Sequence, residues 1–290
     1  MKIGTILIND EETGALIFNE HVYPIRKINE IYGTNWKTDI LDLLNANQID
    51  TMRNWVESLK EEEFRHKLDD LITFEDTKFA PLYRNPQKIW GIGLNYSEHA
   101  NDLSEVAPTS IPASFMKAAT TIIGPQEDIF IPAQSRKTTG EAELGVIIKK
   151  RCKNMERKNW LDFVAGFTTI IDMTAEDILR KNPRYLTLSK NFDTFFSFGP
   201  VLFTPDEIPD LMDLNVATVI NGAIHAKNVI SNMQFPPDFL VSFHSKVMTL
   251  LPGDIISTGT PGAVPIKDGD IIECRIDGFP SLKNPVKDLA

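Results

Sequence analysis

The chain is short of the residues that mark several common classes of protein. Its 290 residues include only two cysteines, Cys152 and Cys274, and five histidines, His21, His66, His99, His225 and His244. Two thiols make no disulfide framework, and neither they nor the histidines fall into a zinc spacing. Basic residues are outnumbered, 30 against 40 acidic, for a formal charge of −10. That balance argues against a nucleic acid or an anionic membrane as partner, since both demand a basic face. No apolar run approaches the roughly 18 residues of a membrane span. The run after Met1-Lys2 is too short for a secretory signal, and no repeat or low-complexity tract is present. The expectation is a soluble, cytoplasmic protein, whose acidic surface still leaves room for a local cationic pocket taking a small anion.

What is there is an ordinary globular composition, 42% hydrophobic and 24% charged, with 16 glycines and 18 prolines. Such a chain buries a core without covalent staples, and its length suggests about two domains. In residues 1–80, Ile3, Thr5 and Leu7, then Ala15 and Ile17, predict a hairpin turning through Asn9–Gly14. Ile40, Leu43 and Leu44 predict a helix capped by Thr38 or Asp39. Met52, Trp55, Val56 and Leu59 predict another, with Lys60–Glu63 as its solvated end. Ala80–Pro86, bounded by Pro81 and Pro86 and with no periodic pattern, reads as a linker.

From Lys88 onward the texture changes. Short β-branched runs occur at Lys88–Leu94, Leu144–Lys149, Phe167–Ile171, Val216–Ile220, Asp254–Thr258 and Asp270–Ile276. Helical segments are fewer, at Asn159–Val164, Thr174–Arg180 and Phe235–Leu250. This predicts an α+β or mixed-β domain, not a doubly wound sheet. Gly91-x-Gly93 is no dinucleotide fingerprint, because Tyr96 takes the third glycine position. Phe192, Phe195, Phe196 and Phe198 read as core.

The most informative stretch is Gly140-Glu141-Ala142-Glu143-Leu144-Gly145-Val146-Ile147-Ile148. On a strand, Glu141 and Glu143 share a face, with Cα atoms roughly 6–7 Å apart. Leu144, Val146 and Ile148 fill the other side, so the strand is expected to be buried on both faces, where adjacent acids need neutralising. Asp172 ends the apolar run Phe167–Ile171, before a helix start expected to be capped by Thr174. If Asp172 approaches the glutamates, each like-charge pair about 4 Å apart repels by about 4 kcal/mol at an effective dielectric near 20. Protons or a cation must then balance the cluster, and an all-oxygen set suits Mg²⁺ or Mn²⁺ over zinc. From the residues alone, exposed strand acids and an ordinary helix cap remain the alternative.

Ile92-Gly93-Leu94-Asn95-Tyr96-Ser97-Glu98-His99-Ala100 resembles the G-x-N-Y-x-x-H opening of the catalytic domain of the fumarylacetoacetate hydrolase superfamily. The order continues through Phe115-Met116-Lys117, Gly140–Leu144, Gly166–Asp172, Lys190-Asn191-Phe192-Asp193, Gly199-Pro200, Asn221-Gly222 and Gly253–Pro261. Each motif is weak alone; their order over residues 88–290 is specific. The resemblance implies an α+β fold with a mixed, roll or barrel-like β-sheet catalytic domain over 88–290, beside a small N-terminal domain over 1–80. It implies Mg²⁺ or Mn²⁺ held by Glu141, Glu143 and Asp172.

The same resemblance implies a water-activating His99 with an acid partner at Asp102, where the family carries glutamate; Glu98 or Glu105 are substitutes. Lys190 matches the family's active-site lysine, with Lys117, Thr260 and Tyr96 on the substrate. Without the resemblance, His99 is an ordinary surface or core histidine, Lys117 and Lys190 are snorkelling lysines, and Gly259–Gly262 is a tight turn. Two departures stand out: Glu176 replaces an arginine usual in the family, and Ala226 lies where a glutamine is usual. The implied activity is Mg²⁺-dependent hydrolysis of a carbon–carbon bond in acylpyruvate-like 2-oxo acids through a pyruvate enolate, in a homodimer. Isomerisation or hydration of 2-oxo-dienoates, oxaloacetate decarboxylation, and a non-catalytic 2-oxo-acid binder are the alternatives.

Overall fold

The computed structural model describes residues 1–18, 21–59, 72–96 and 108–289. Strands β1 (Lys2–Ile8) and β2 (Glu11–Phe18) form the expected hairpin. Its turn is tighter than the sequence suggests. Asn9 and Asp10, at φ 51° and 64°, close it alone, because short polar side chains tolerate the left-handed region that a two-residue hairpin turn requires. Residues 11–14 therefore join β2, with Thr13 opposite Ile6 and Gly14 opposite Thr5. After β3 (His21–Pro24) come helices α1 (Ile25–Tyr32), α2 (Ile40–Asn45) and α3 (Ile49–Glu57). Asp39 caps α2 by accepting from the Asp42 N–H at 2.8 Å. Leu59 falls beyond α3, and Lys60–Glu63 lie outside the described residues.

A short strand β4 (Ile72–Thr73) pairs with β3. The proline-bounded connection that follows is packed, unlike the linker its composition suggests. Leu82 and Tyr83 are buried; the Leu82 carbonyl accepts from Thr5 Oγ1 at 2.7 Å, and Tyr83 donates to the Gly253 carbonyl at 3.0 Å.

The remaining strands are β5 (Ile89–Gly93), β6 (Ala113–Lys117), β7 (Ile122–Ile123), β8 (Ile129–Ile131), β9 (Thr138–Ile148) and β10 (Val164–Ala175). They continue with β11 (Phe196–Phe203), β12 (Asn215–Ile220), β13 (Ala223–Val229), β14 (Ile255–Ser257), β15 (Val264–Pro265), β16 (Ile271–Ile276) and β17 (Leu282–Asp288). One sheet runs β4-β3-β2-β1-β11-β10-β9-β14-β5-β6, with β15 on β9 and β7 on β11; a second runs β13-β12-β16-β17-β8. Among the described residues the large sheet's path is open from β4 to β6, so the barrel-like character implied by resemblance stops short of closure.

Helices α4 (Glu176–Lys181), α5 (Leu186–Lys190) and α6 (Pro237–Val247) punctuate these strands. The helix expected at Asn159–Val164 is a 3₁₀ segment over Arg157–Phe163. No described helix is long and apolar enough to cross a membrane.

Strands β9 and β10 sit between two cores, and all their residues are buried. Ala142, Leu144, Val146 and Ile148 pack with Val216, Ile272 and Ile276 of the second sheet. Ile147 belongs to the other cluster, together with Ile3, Leu16, Leu43, Phe196 and Ile255. The N-terminal residues thus share a core with the sheet that carries the acids, and β1 pairs β11 edge to edge. Cys152 and Cys274 are free and buried.

Candidate active site

The acids meet because of strand register. Asp172 of β10 lies directly opposite Glu141 of β9, and Glu143 is two residues further on the same face. One carboxylate oxygen from each lies within 4.8 Å of the others. On its other edge β9 pairs with β14 up to Gly145 and with β15 from Gly140. The chain between those strands leaves the ladder and turns over the glutamates. Glu143 accepts there from Ser257 Oγ at 2.6 Å and from the Gly259 N–H at 2.7 Å. Gly259 holds φ 95°, where a Cβ would lie 2.8 Å from that of Asn95, so this donor position favours glycine.

Thr174 does not cap α4. It remains in β10, and its hydroxyl donates to Glu141 Oε1 at 2.7 Å; the cap position falls to Ala175, without a side-chain bond. Asn95, from the G-x-N-Y motif, is fully buried. Its amide donates to the carbonyls of Phe235 and Thr258 at 3.0 and 2.7 Å, fastening the start of that turn.

Two ammonium groups balance the acids. Lys190, at the end of α5, donates to Glu141 Oε2 at 2.9 Å and to Asp172 Oδ2 at 2.7 Å. Its Nζ also lies 4.8 Å from the centre of the Phe115 ring. Lys117, from β6, lies 2.6 Å from Asp172 Oδ1 and donates to the Lys190 carbonyl.

The titration directions follow. Burial, reinforced by Asp172 and Glu141, pushes the Glu143 carboxyl up to about 8. Burial also works to raise Asp172, but Lys117 and Lys190 outweigh it and hold that carboxyl below its usual range. For Lys117 burial wins and lowers the ammonium; for Lys190 the carboxylates of Asp172 and Glu141 outweigh burial and raise it.

The donor set decides what the centre can hold. Three carboxylates crowd together with no histidine or cysteine among the grouped residues, and Lys190 already bridges two of them. Such surplus negative charge on hard oxygen donors fits Mg²⁺ or Mn²⁺ and fits zinc poorly. The centre opens on a cavity of about 720 Å³ whose wall includes Glu141, Lys190, Phe115, Thr174 and the α4 residues Glu176 and Arg180.

Of the sequence candidates among the described residues, only Glu141 and Lys190 are in that wall; Glu143 and Asp172 are fully buried and do not line it. Lys117 stands behind Asp172 as a counter-charge, with its side chain fully buried. Tyr96 is fully buried, and its hydroxyl has no hydrogen-bond partner among the described residues. The Thr260 hydroxyl closes on its own turn, 3.1 Å from the Gly262 carbonyl oxygen. His99 and Asp102, with Glu98 and Glu105, lie outside the described residues. Sequence reasoning missed Ser257, the Gly259 N–H, Thr174 and Arg180. Only Ser257 and Gly259 carried a signal, as part of a motif read chiefly for Thr260.

Fold and site together define an α+β protein with a buried, all-oxygen centre suited to a hard divalent cation. The model of the fumarylacetoacetate (FAA) hydrolase C-terminal domain matches residues 88–287, and the chain belongs to that family. Oxaloacetate tautomerase fahd2, mitochondrial, of Xenopus laevis is 37% identical over 71% of this chain and 67% of its own length. The crystal structure of maleylpyruvate hydrolase from Sphingobium sp. SYK-6, in complex with manganese(II) and pyruvate, is similar with a TM-score of 0.80 at 25% identity, over 99% of each chain. A 2-hydroxyhepta-2,4-diene-1,7-dioate isomerase from Mycobacterium marinum is similar with a TM-score of 0.75 at 27% identity, over 100% of this chain and 99% of that one.

Proposed function

We propose that this chain is a Mg²⁺- or Mn²⁺-dependent enzyme acting on 2-oxo acids through an enolate, with hydrolytic carbon–carbon cleavage of acylpyruvate-like substrates as the leading reaction. The observation that carries this reading is the clustering of Glu141, Glu143 and Asp172 beside Lys190 at a cavity. Those three acids would hold the ion, which when bound supplies Lewis-acid polarisation of the 2-oxo group. Lys190, already aimed at the same oxygens, would donate to the oxygen that gains charge as the enolate forms. Lys117 keeps Asp172 ionised, and Ser257 with the Gly259 N–H fixes the rotamer of Glu143.

Hydrolysis also needs an activated water. On the family resemblance, His99 with Asp102 takes a proton from water as its oxygen attacks the distal carbonyl. Breaking the adjacent C–C bond releases a carboxylic acid and leaves the pyruvate enolate, which takes a proton at carbon. A second reading is keto–enol tautomerisation, favoured by the named activity of the 37% identical Xenopus relative. It uses the same enolate-stabilising groups without attack by water.

The test is pyruvate release from acylpyruvates, beside oxaloacetate tautomerisation, with Mg²⁺, with Mn²⁺ and with chelator. Hydrolysis lost on His99→Ala supports the leading reading. Tautomerisation that survives this change supports the second. Binding of 2-oxo acids without turnover would leave only a binding protein, and activity indifferent to chelator overturns the metal-dependent proposal. The homodimer belongs to the same proposal and is tested by sedimentation velocity.

A further inference from the structure

Glu176 and Arg180 form an i,i+4 pair on α4, which in an ordinary surface helix contributes little. This pair differs from the ordinary case. The Glu176 side chain is only 8% exposed, against 57% for that of Arg180, and it takes two cations, Arg180 Nε at 2.5 Å and Lys137 Nζ at 2.8 Å. One carboxylate against two cations leaves a surplus positive charge. Arg180 commits only Nε to that bond, and among the described residues its terminal nitrogens bond to no protein acceptor. Both Glu176 and Arg180 line the cavity that contains Glu141 and Lys190, and Leu179, Pro183 and Leu186 add apolar wall beside them.

We propose that Arg180, positioned by Glu176, selects substrates by their distal end and takes a second carboxylate, so that the preferred substrate is a dicarboxylic 2-oxo acid. This rests on the 2-oxo-acid reading of the three-acid centre. An arginine braced through Nε presents its remaining N–H groups as a preset fork, the geometry that suits a carboxylate and that lysine does not reproduce. A hydrogen bond to a charged group of this kind corresponds to a preference of about 10- to 100-fold.

The experiment compares 2-oxoglutarate with 2-oxovalerate, which has the same five-carbon chain but a methyl group in place of the second carboxylate, as ligands of the Mn²⁺-loaded protein by calorimetry. Wild-type protein is expected to bind the diacid at least about tenfold tighter. R180M is expected to remove that gap by weakening the diacid selectively, R180K to restore part of it, and E176Q to narrow it while circular dichroism shows the fold retained. No gap in the wild type, or equal weakening of both ligands by R180M, overturns the proposal. Kinetics separate the two claims. Absence of turnover with the gap intact sinks the enzymatic reading and leaves Arg180 as the selector; turnover without a gap does the reverse.

Discussion

Asp172 and Asp254 are both fully buried, and both are ion-paired to lysine. Asp254 takes one cation, Lys88 Nζ at 2.7 Å, and the Leu251 N–H at 2.7 Å. It stands where the packed connection meets β14, next to the Gly253 carbonyl that Tyr83 binds. Burial leaves its carboxyl above the usual range despite Lys88. Asp172 instead has two lysines and two further acids around it, and its carboxyl is held low. Both partners of Asp254 meet it at Oδ2, and Oδ1 has no hydrogen-bond partner among the described residues. One lysine still matches one acid in charge, and the pair anchors a fold. Three acids against two lysines beside a cavity leave one charge, which a proton on Glu143 or a bound cation can balance.

Paired substitutions break or sharpen this contrast. The largest effect expected is from Asp172→Asn, which should cut turnover of 2-oxo acids by about 10³-fold while the protein still folds, read by steady-state kinetics and circular dichroism. Asp254→Asn should do the opposite. Leaving Lys88 without its partner is expected to cost about 3 kcal/mol in urea unfolding, with kcat held within about twofold. Equal losses of activity from both would erase the distinction.

A smaller effect should appear with pH. Glu143 rises from 4.5 to about 8 on folding, so the folded state favours its protonated form. Its contribution is complete below the unfolded value and is lost as pH rises through the folded one. Cation-free protein should therefore melt at progressively lower temperature between pH 5 and pH 8 from this group, and saturating Mn²⁺ should flatten the slope. A melting temperature indifferent to Mn²⁺ would remove the reason for setting this cluster apart from Asp254. The smallest effect concerns chemistry outside both sites. Burial pushes the Cys152 and Cys274 thiols up to about 11 and about 12, so neither should react with a thiol reagent at pH 8 until denaturant is added.

Period-two spacing alone places Glu141 and Glu143 on one face, because a strand's side chains alternate by geometry. The helix at 40–45 and its Asp39 cap were equally legible, being local. Errors arose where tertiary contacts competed with local signals. Thr174 looked like a cap because a hydroxyl before two acids commonly is one, yet strand pairing through Thr139 kept it in β10 and turned it to Glu141. Ala80–Pro86 looked like a tether because composition cannot report that Tyr83 finds a carbonyl 170 residues away. Arg180 carried no sequence signal, since an i,i+4 partner reads as solvated until the burial of Glu176 is known.

The sequence by itself determined the strand that carries two acids, the family, and the all-oxygen character of the centre, since each depends on residue type and short-range spacing. Only the tertiary structure decided that Asp172 stands across from Glu141, that Lys117 lies behind the cavity wall while Lys190 lines it, and that Glu176 braces Arg180. Those facts depend on register and on which faces become buried, and both are set by contacts between residues far apart in the chain.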